Sequence, residues 1–264
     1  MNFDKSLIEF SRHDKNRQIT LPNNITPELS ELTGIMIGDG NIYMKNQRYE
    51  IAIVGDAKED LTYHKQHIKN IFKKCFNIEP IVKIRHFKDG RKCIASKIES
   101  KALCLFFTNC LNLPNGKKKN IRISDHIVQN DKNIIHKFLR GIADTDFSIR
   151  FKTRQGKKNY YPLIIGQFSD ELLVQYLKAL LAKIDIHSHI EKTKSKIKGR
   201  DNIYLGYRIV ITGIKNFNKW MIEIGFANER HLTKYKVWKK TGYCPPYTNI
   251  EKRKTILDKA EDGN

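Results

Sequence analysis

Leu32-Thr-Gly-Ile-Met-Ile-Gly-Asp-Gly40 and Leu139-Arg-Gly-Ile-Ala-Asp-Thr-Asp-Phe147 are two copies of one nonapeptide in a chain of 264 residues. They agree in register at Leu32/Leu139, Gly34/Gly141, Ile35/Ile142 and Asp39/Asp146. Each copy reads as a helix that ends at its aspartate. The first starts at Pro27, a good first-turn residue, and Gly40 suits a left-handed C-terminal cap. A helical glycine costs roughly 1 kcal/mol relative to alanine, so it needs a reason. Gly34 and Gly38, matched by Gly141 and Thr145, form a small-residue face that lets two helix backbones approach closely. Such packing would bring Asp39 and Asp146 together at two negative helix ends, where one carboxyl tends to keep its proton. A divalent cation removes that conflict, and carboxylates with phosphate oxygens make a usual Mg²⁺ site. The plainer reading, two polar residues at helix ends, would suit either aspartate alone. It suits less well two in register, each following a small-residue face.

The order of elements after each copy repeats as well. After the first, residues 48–55 alternate as a strand, 58–75 carry one apolar helical face, and 81–87 and 92–98 form a hairpin around Asp89-Gly90. Residues 101–113 are a closing helix stopped by Pro114-Asn-Gly116. After the second, strands are expected at 147–153 and 161–168 around a turn at 155–158, then a helix at 170–184. A strand pair at 187–196 and 203–211 and a helix at 215–224 complete it. The fold class is α+β, two pseudo-symmetric αββαββα halves. The expected divisions are an N-terminal arm (1–26), a first half (27–115), a Lys-rich linker (116–130), a second half (131–226) and a basic, aromatic tail (227–264). Trp238 and Tyr235 in that tail read as packing residues.

Charge points to the partner. Lys and Arg number 49 against 28 Asp and Glu, a net charge of +21. Polyphosphate rewards such an excess, because each neutralised phosphate releases counterions. A membrane surface is the rival, but the cations are spread along the chain. No apolar run reaches the ~18 residues of a membrane span, and residues 1–10 contain no apolar signal core. Five cysteines without a Cys-x-x-Cys pair suggest neither a disulfide framework nor a zinc knuckle. Cys75, Cys104 and Cys110 read as core thiols, and the expected setting is intracellular, cytoplasm or nucleoid.

Both nonapeptides resemble the LAGLIDADG motif, and the two-copy layout resembles monomeric LAGLIDADG homing endonucleases over residues 27–226. The resemblance implies that the motif helices form the interface of the halves and that saddle-shaped antiparallel sheets bind the DNA major groove. It implies that Asp39 and Asp146, with Gly38 and Thr145 beside them, hold Mg²⁺, and that each aspartate serves cleavage of one strand of a long target, leaving short 3′ overhangs. It also implies basic groups near the scissile phosphates, for which Lys97, Lys101, Arg208 and Lys215 are the candidates. Ile37 and Asp144 differ at one motif position that is not the metal ligand. Phe147 replaces the final glycine, so the second helix must end without a glycine cap. The tail resembles that of archaeal members, and an intron-encoded origin is expected.

The strands carry their own signal. Residues two apart on a strand share a face. Arg150, Lys152 and Arg154 therefore line one side, as do Lys192, Lys194, Lys196 and Lys198, and also Lys83 and Arg85. With Lys45, Arg48, Arg91, Lys158 and Arg200 they are the DNA-contact candidates, able to meet phosphates or guanine edges. Solvated strands usually mix charge signs, and these runs are almost purely cationic. Other readings of the same residues are an intron RNA maturase, an inactive DNA-binding protein of the same fold, and a structural RNA binder. An intein-embedded domain is a further one, for which the expected splicing residues at the chain ends are lacking.

Overall fold

The structure is a computed structural model that describes residues 1–196 and 203–262. Lys198 and Arg200, and the side chains of Lys158 and Lys196, lie outside the described residues. The chain divides into two compact units, Met1–Thr145 and Asp146–Asn264.

In the first unit, residues 1–26 are not a detached arm. Phe3 is buried with its ring 5.1 Å from that of Phe106. Asp14, in the short helix α1 (Arg12–Asn16), is fully buried and accepts from Ala102 N at 3.2 Å. The motif helix α2 (Pro27–Gly38) starts at Thr26, whose hydroxyl accepts from Leu29 N at 3.1 Å. Residues 29–37 are buried on every side of it.

Strand β1 (Gly40–Lys45) follows at once and pairs with β2 (Arg48–Asp56) through Asn46 and Gln47, at φ 49° and 59°. Two consecutive left-handed residues make the tight turn whose twist matches an antiparallel hairpin. A π-helical turn (Tyr63–Ile68) runs into α3 (Lys69–Phe76), so the expected single helix is interrupted. Strands β3 (Ile81–His86) and β4 (Lys92–Glu99) complete a sheet of order β1-β2-β4-β3. Ile42, Ile51, Ile53, Ile94 and Ile98 on one face are buried beneath α4 (Lys101–Asn109), α3 and their Phe76, Phe106 and Phe107 cluster. Each such side chain contributes about 1.5–3 kcal/mol of apolar burial. Helices α5 (Asp125–Val128) and α6 (Lys132–Asp146) close the unit. Cys104 and Cys110 are buried as expected, while Cys75 is half-buried.

The second unit repeats the plan. Strands β5 (Phe147–Arg154), β6 (Lys157–Phe168), β7 (His189–Lys196) and β8 (Ile203–Ile211) form a sheet of order β5-β6-β8-β7. Its first hairpin turns through Gln155 and Gly156, again two consecutive left-handed residues. Helices α7 (Glu171–Lys183) and α8 (Ile214–Glu223) bear on one face, where Trp220 is fully buried and stacks on Phe147 at 5.7 Å. The tail forms α9 (Glu229–Thr241) and α10 (Ile250–Asp262). Trp238 packs against Phe151 and Phe217 and donates to Tyr160 O at 2.7 Å.

Candidate active site and nucleic-acid interface

Helices α2 and α6 meet within the first unit. A Cβ built on Gly34 would lie 2.3 Å from Phe138 O and 2.7 Å from Ile142 N, and one on Gly141 would lie 1.9 Å from Glu31 O. Backbone touches backbone at these two positions, which is why both are glycine. Ser30 Oγ donates to Ile134 O at 2.7 Å in the preceding turn. The contacts advance together along the two helices, so α2 and α6 run parallel. Thr145 turns its hydroxyl back to Ile142 O at 2.9 Å.

The expected glycine cap at Gly40 is not what ends α2. Gly40 is already the first residue of β1 and is not left-handed; a Cβ there would lie 2.5 Å from Met36 Cα. The helix stops because the chain turns directly into a strand, and Gly40 is needed for closeness to Met36. Phe147 is likewise the first residue of β5, held under Trp220, so the second copy loses nothing by lacking a glycine. Asp39 is the C-cap residue directly after the first motif helix and Asp146 the last residue of the second, and both are half-buried. The backbone of Asp39 is fixed on both sides, by donation to Ile35 O at 3.1 Å and acceptance from Val54 N at 3.2 Å. The last carbonyls of α2, Ile37 O and Gly38 O, accept from Lys118 Nζ, the first at 2.8 Å.

A buried polar cluster joins α2, the π-turn and α6. Glu31 accepts from Arg140 Nε at 2.9 Å on Oε1 and from Arg140 Nη2 on Oε2, and His67 Nε2 lies 2.8 Å from the same Oε1. Tyr63 OH donates to Asp144 at 3.3 Å. Glu31, His67 and Asp144 each offer a ligand atom within 4.8 Å of the others. With Glu31 already taken by a guanidinium, the cluster is an ion-pair network. Asp144, the motif position where the first copy has Ile37, finds its explanation here. Burial pushes the Glu31 carboxyl up, but the hydrogen bonds and charges of His67 and Arg140 outweigh it and hold it below the ordinary 4.5. Burial raises the Tyr63 phenol well above 10.0, helped by Asp144.

Glu31→Ala is expected to cost ~1.5–3 kcal/mol in urea unfolding, because the half-buried Arg140 loses its charged hydrogen-bond partner. A carboxyl with a depressed folded pKa stabilises above its unfolded value and loses that contribution as pH falls through the folded one. The difference between parent and Glu31→Gln should therefore be full above 4.5 and shrink below it. A difference unchanged down the acid limb would contradict the assignment.

Strand register assigns the candidate cations to faces. In the first sheet the face away from the helices carries Lys45 and Arg48, which face each other, Lys83 opposite Ala95, Arg85 opposite Cys93, and Lys97 opposite Ala52 and Ile81. Arg48 bonds Glu50 at 2.7 Å and lies over Tyr43, and Lys97 also bonds Glu50. Arg91 lies in the β3–β4 turn, held by Asp89 at 2.7 Å. In the second sheet Arg150, Lys152 and Arg154 are exposed on the corresponding face, with Arg154 4.5 Å above the Tyr161 ring. Lys192 and Lys194 pair with Tyr207 and Leu205, which alternate in step with the buried Ile209 and Ile211. They fall on the helix side, and Lys192 meets Glu171 of α7 at 3.4 Å. The two cationic runs of this sheet therefore do not share a face.

Comparison with known proteins adds the family. Residues 133–225 match the family model of a LAGLIDADG-like domain. This segment is a LAGLIDADG-like domain. The structure of the homing endonuclease I-WcaI bound to its DNA recognition sequence matches with a TM-score of 0.51 at 17% identity, covering 81% of this chain and 87% of that one. I-DmoI in complex with DNA and Ca matches with a TM-score of 0.50 at 18% identity, covering 76% and 91%. At these identities the likeness is one of fold. The chain has the LAGLIDADG homing-endonuclease architecture of two four-stranded antiparallel sheets with helices. The glutamine–fructose-6-phosphate aminotransferase [isomerizing] of Methanocaldococcus jannaschii is 27% identical over 236 residues, 89% of this chain. The chain spans only 19% of the length of that relative.

Within each unit the register relates the remaining candidates. In the first, Asp39 is followed by Gly40, paired with Ile53, itself paired with Ser96; Lys97 is the next residue. In the LAGLIDADG-like domain, Asp146 is followed by Phe147, paired with Gly166, itself paired with Ile209. Val210, not Arg208, takes the place of Lys97. Arg208 lies across from Gln167 and meets its side chain at 3.2 Å. Lys101 bonds Glu9 at 2.5 Å, and Lys215 is exposed in the first turn of α8. Lys118 and the Glu31 cluster were missed by sequence reasoning. Their partners are 80 and 109 residues away, beyond any local pattern.

Proposed function

We propose that this chain is a site-specific DNA endonuclease, acting as a monomer, that makes a Mg²⁺-dependent double-strand break in a long, roughly palindromic target. The observation that carries the reading is the pair of parallel motif helices, pressed together at Gly34 and Gly141 and each ending in a half-buried aspartate. The donor set fits a hard divalent ion, since Asp39, Asp146 and the carbonyls of Gly38 and Thr145 are all oxygens. Gly38 O already accepts a cationic group, the Lys118 ammonium. A bound Mg²⁺ would supply water activation and charge stabilisation at the leaving oxygen.

The residues of the chain do the rest. Arg150, Lys152 and Arg154, with Lys83 and Arg85, neutralise phosphates on the helix-free faces, and Lys97 adds positive charge two strands over from the end of β1 that follows Asp39. Residues 27–115 and 131–226 each serve one half-site, and cleavage leaves short 3′ overhangs. The DNA-bound state of I-WcaI and the DNA and Ca of I-DmoI support the partner and the class of ion. An intracellular protein encoded within an intron of an archaeon completes the reading, and the M. jannaschii relative is consistent with that source. Among the described residues no helix is long and apolar enough to cross a membrane.

The test is incubation with fragmented genomic or randomised DNA in Mg²⁺, followed by end sequencing, with the double variant Asp39→Asn, Asp146→Asn as control. Defined ends with short 3′ overhangs, made by the parent alone, are expected. DNA binding without cleavage by the parent would favour an inactive binder, and preference for intron RNA a maturase.

A further inference from the structure

The end of α2 has an electrostatic difficulty that its own sequence does not relieve. Its last carbonyls have no partner within the helix and carry about half a negative charge. No basic residue stands in the last turn, and the acidic Asp39 follows directly after it. The compensation comes from the linker. Of the consecutive Lys117, Lys118 and Lys119, the outer two are exposed and the middle one is half-buried. Lys118 Nζ donates to both Ile37 O and Gly38 O.

The linker is built to deliver it. Asn115 exchanges hydrogen bonds with the backbone of Met44, at 2.9 and 3.2 Å, and Gly116 N donates to Ile42 O at 2.8 Å. Ile121 and Ile123 anchor the far side, at 4% and 3% exposure. Lys118 is thus held between two fixed points, against apolar walls that include Ile37, Ile42 and Leu113.

We infer that Lys118 is the resident counter-ion of the Gly38–Asp39 helix end, and that a divalent cation binding there must displace its ammonium. This rests on the proposed metal reading of Asp39 and Gly38. A carbonyl oxygen has lone pairs for two partners, but two cations on one oxygen repel each other. The lysine stem is long and half-exposed, so its ammonium can swing to solvent or to a nearby phosphate while the stem stays packed. Lys118 is in these terms a positioning residue: it offsets negative charge at the metal-free helix end and sets a threshold for loading.

The test is Mn²⁺ titration of the metal-free full chain without DNA, read by calorimetry and by the EPR signal of free Mn²⁺. The variants are Lys118→Gln, which keeps a donor without the charge, Lys118→Met and Asp39→Asn. Lys118→Gln and Lys118→Met are expected to bind Mn²⁺ about fivefold tighter or more, the low end of coupling between two ligands at linked sites. Their Tm should fall in EDTA and recover with Mn²⁺. A merely structural lysine would lower Tm without tightening Mn²⁺. Equal or weaker affinity in Lys118→Gln overturns the inference, and should Lys118→Met fail to fold, Lys118→Gln still decides it. Asp39→Asn should weaken Mn²⁺ binding. If it leaves binding unchanged, the metal reading of Asp39 fails and the inference with it, an outcome distinct from a failure at Lys118 alone.

Discussion

Asp39→Asn and Asp146→Asn are each expected to slow double-strand cleavage by at least about a hundredfold, while DNA affinity in Ca²⁺ or EDTA changes little. Amide and carboxylate have the same shape, so neither helix end is disturbed. What changes, on the proposed reading, is charge at a metal position, and metal-derived charge stabilisation amounts to several kcal/mol, with each 1.36 kcal/mol worth about tenfold in rate. DNA affinity should be spared, because the cations proposed to meet the phosphates stand elsewhere, Arg150, Lys152 and Arg154 in one sheet and Lys83 and Arg85 in the other. A supercoiled plasmid carrying the target reads both effects, since nicked and linear products separate on a gel. Full linearisation by both single variants would remove the two-carboxylate mechanism.

Gly141→Ala is expected to destabilise the protein by about 3 kcal/mol, measured as a shift in urea midpoint at constant slope. The added carbon would sit 1.9 Å from Glu31 O and 3.0 Å from Ile35 N. These are main-chain atoms of α2, a helix buried on all sides over residues 29–37, so neither can move aside as a side-chain tip would. The better helix propensity of alanine returns about 1 kcal/mol, and overpacking removes more than that. Gly34→Ala, facing Phe138 O at 2.3 Å, should behave in the same way. If Gly141→Ala were as stable as the parent, the two helices would not approach as closely as their glycines imply.

Much of the architecture was legible because it is written in local patterns. The alternation of residues 48–55 and 147–153 is that of β2 and β5, and Asp89-Gly90 turns β3 into β4. The repeated nonapeptide announced a repeated succession of elements, and both sheets take one strand order. The strand at Gly40–Lys45 carries no such mark, because Gly40 suits a helix cap in sequence while its small size serves contact with Met36 in the fold. The Lys192 run was legible as a one-sided strand, but not for which side. On an edge strand that depends on pairing with β8, and pairing places Lys192 and Lys194 beside Tyr207 and Leu205. The N-terminal segment offered no periodicity, because it is fixed by single tertiary contacts, Phe3 on Phe106 and Asp14 at the start of α4.

The sequence by itself determined the order of elements after each motif, the strand Gly40–Lys45 excepted, the two glycines at which helices touch, and the two aspartates at the helix ends. Each of these is a consequence of neighbours within a few residues or of a pattern repeated in register. Only the tertiary structure decided which charges compensate one another. Glu31 could have been paired with many of the 49 Lys and Arg residues, and folding selected Arg140, with His67 beside it. Lys118 is one of three adjacent lysines, and only the anchoring of the linker turns that one toward the end of α2. Charge acts through space and its partner is set by distance in the fold, whereas helix and strand periodicity act along the chain.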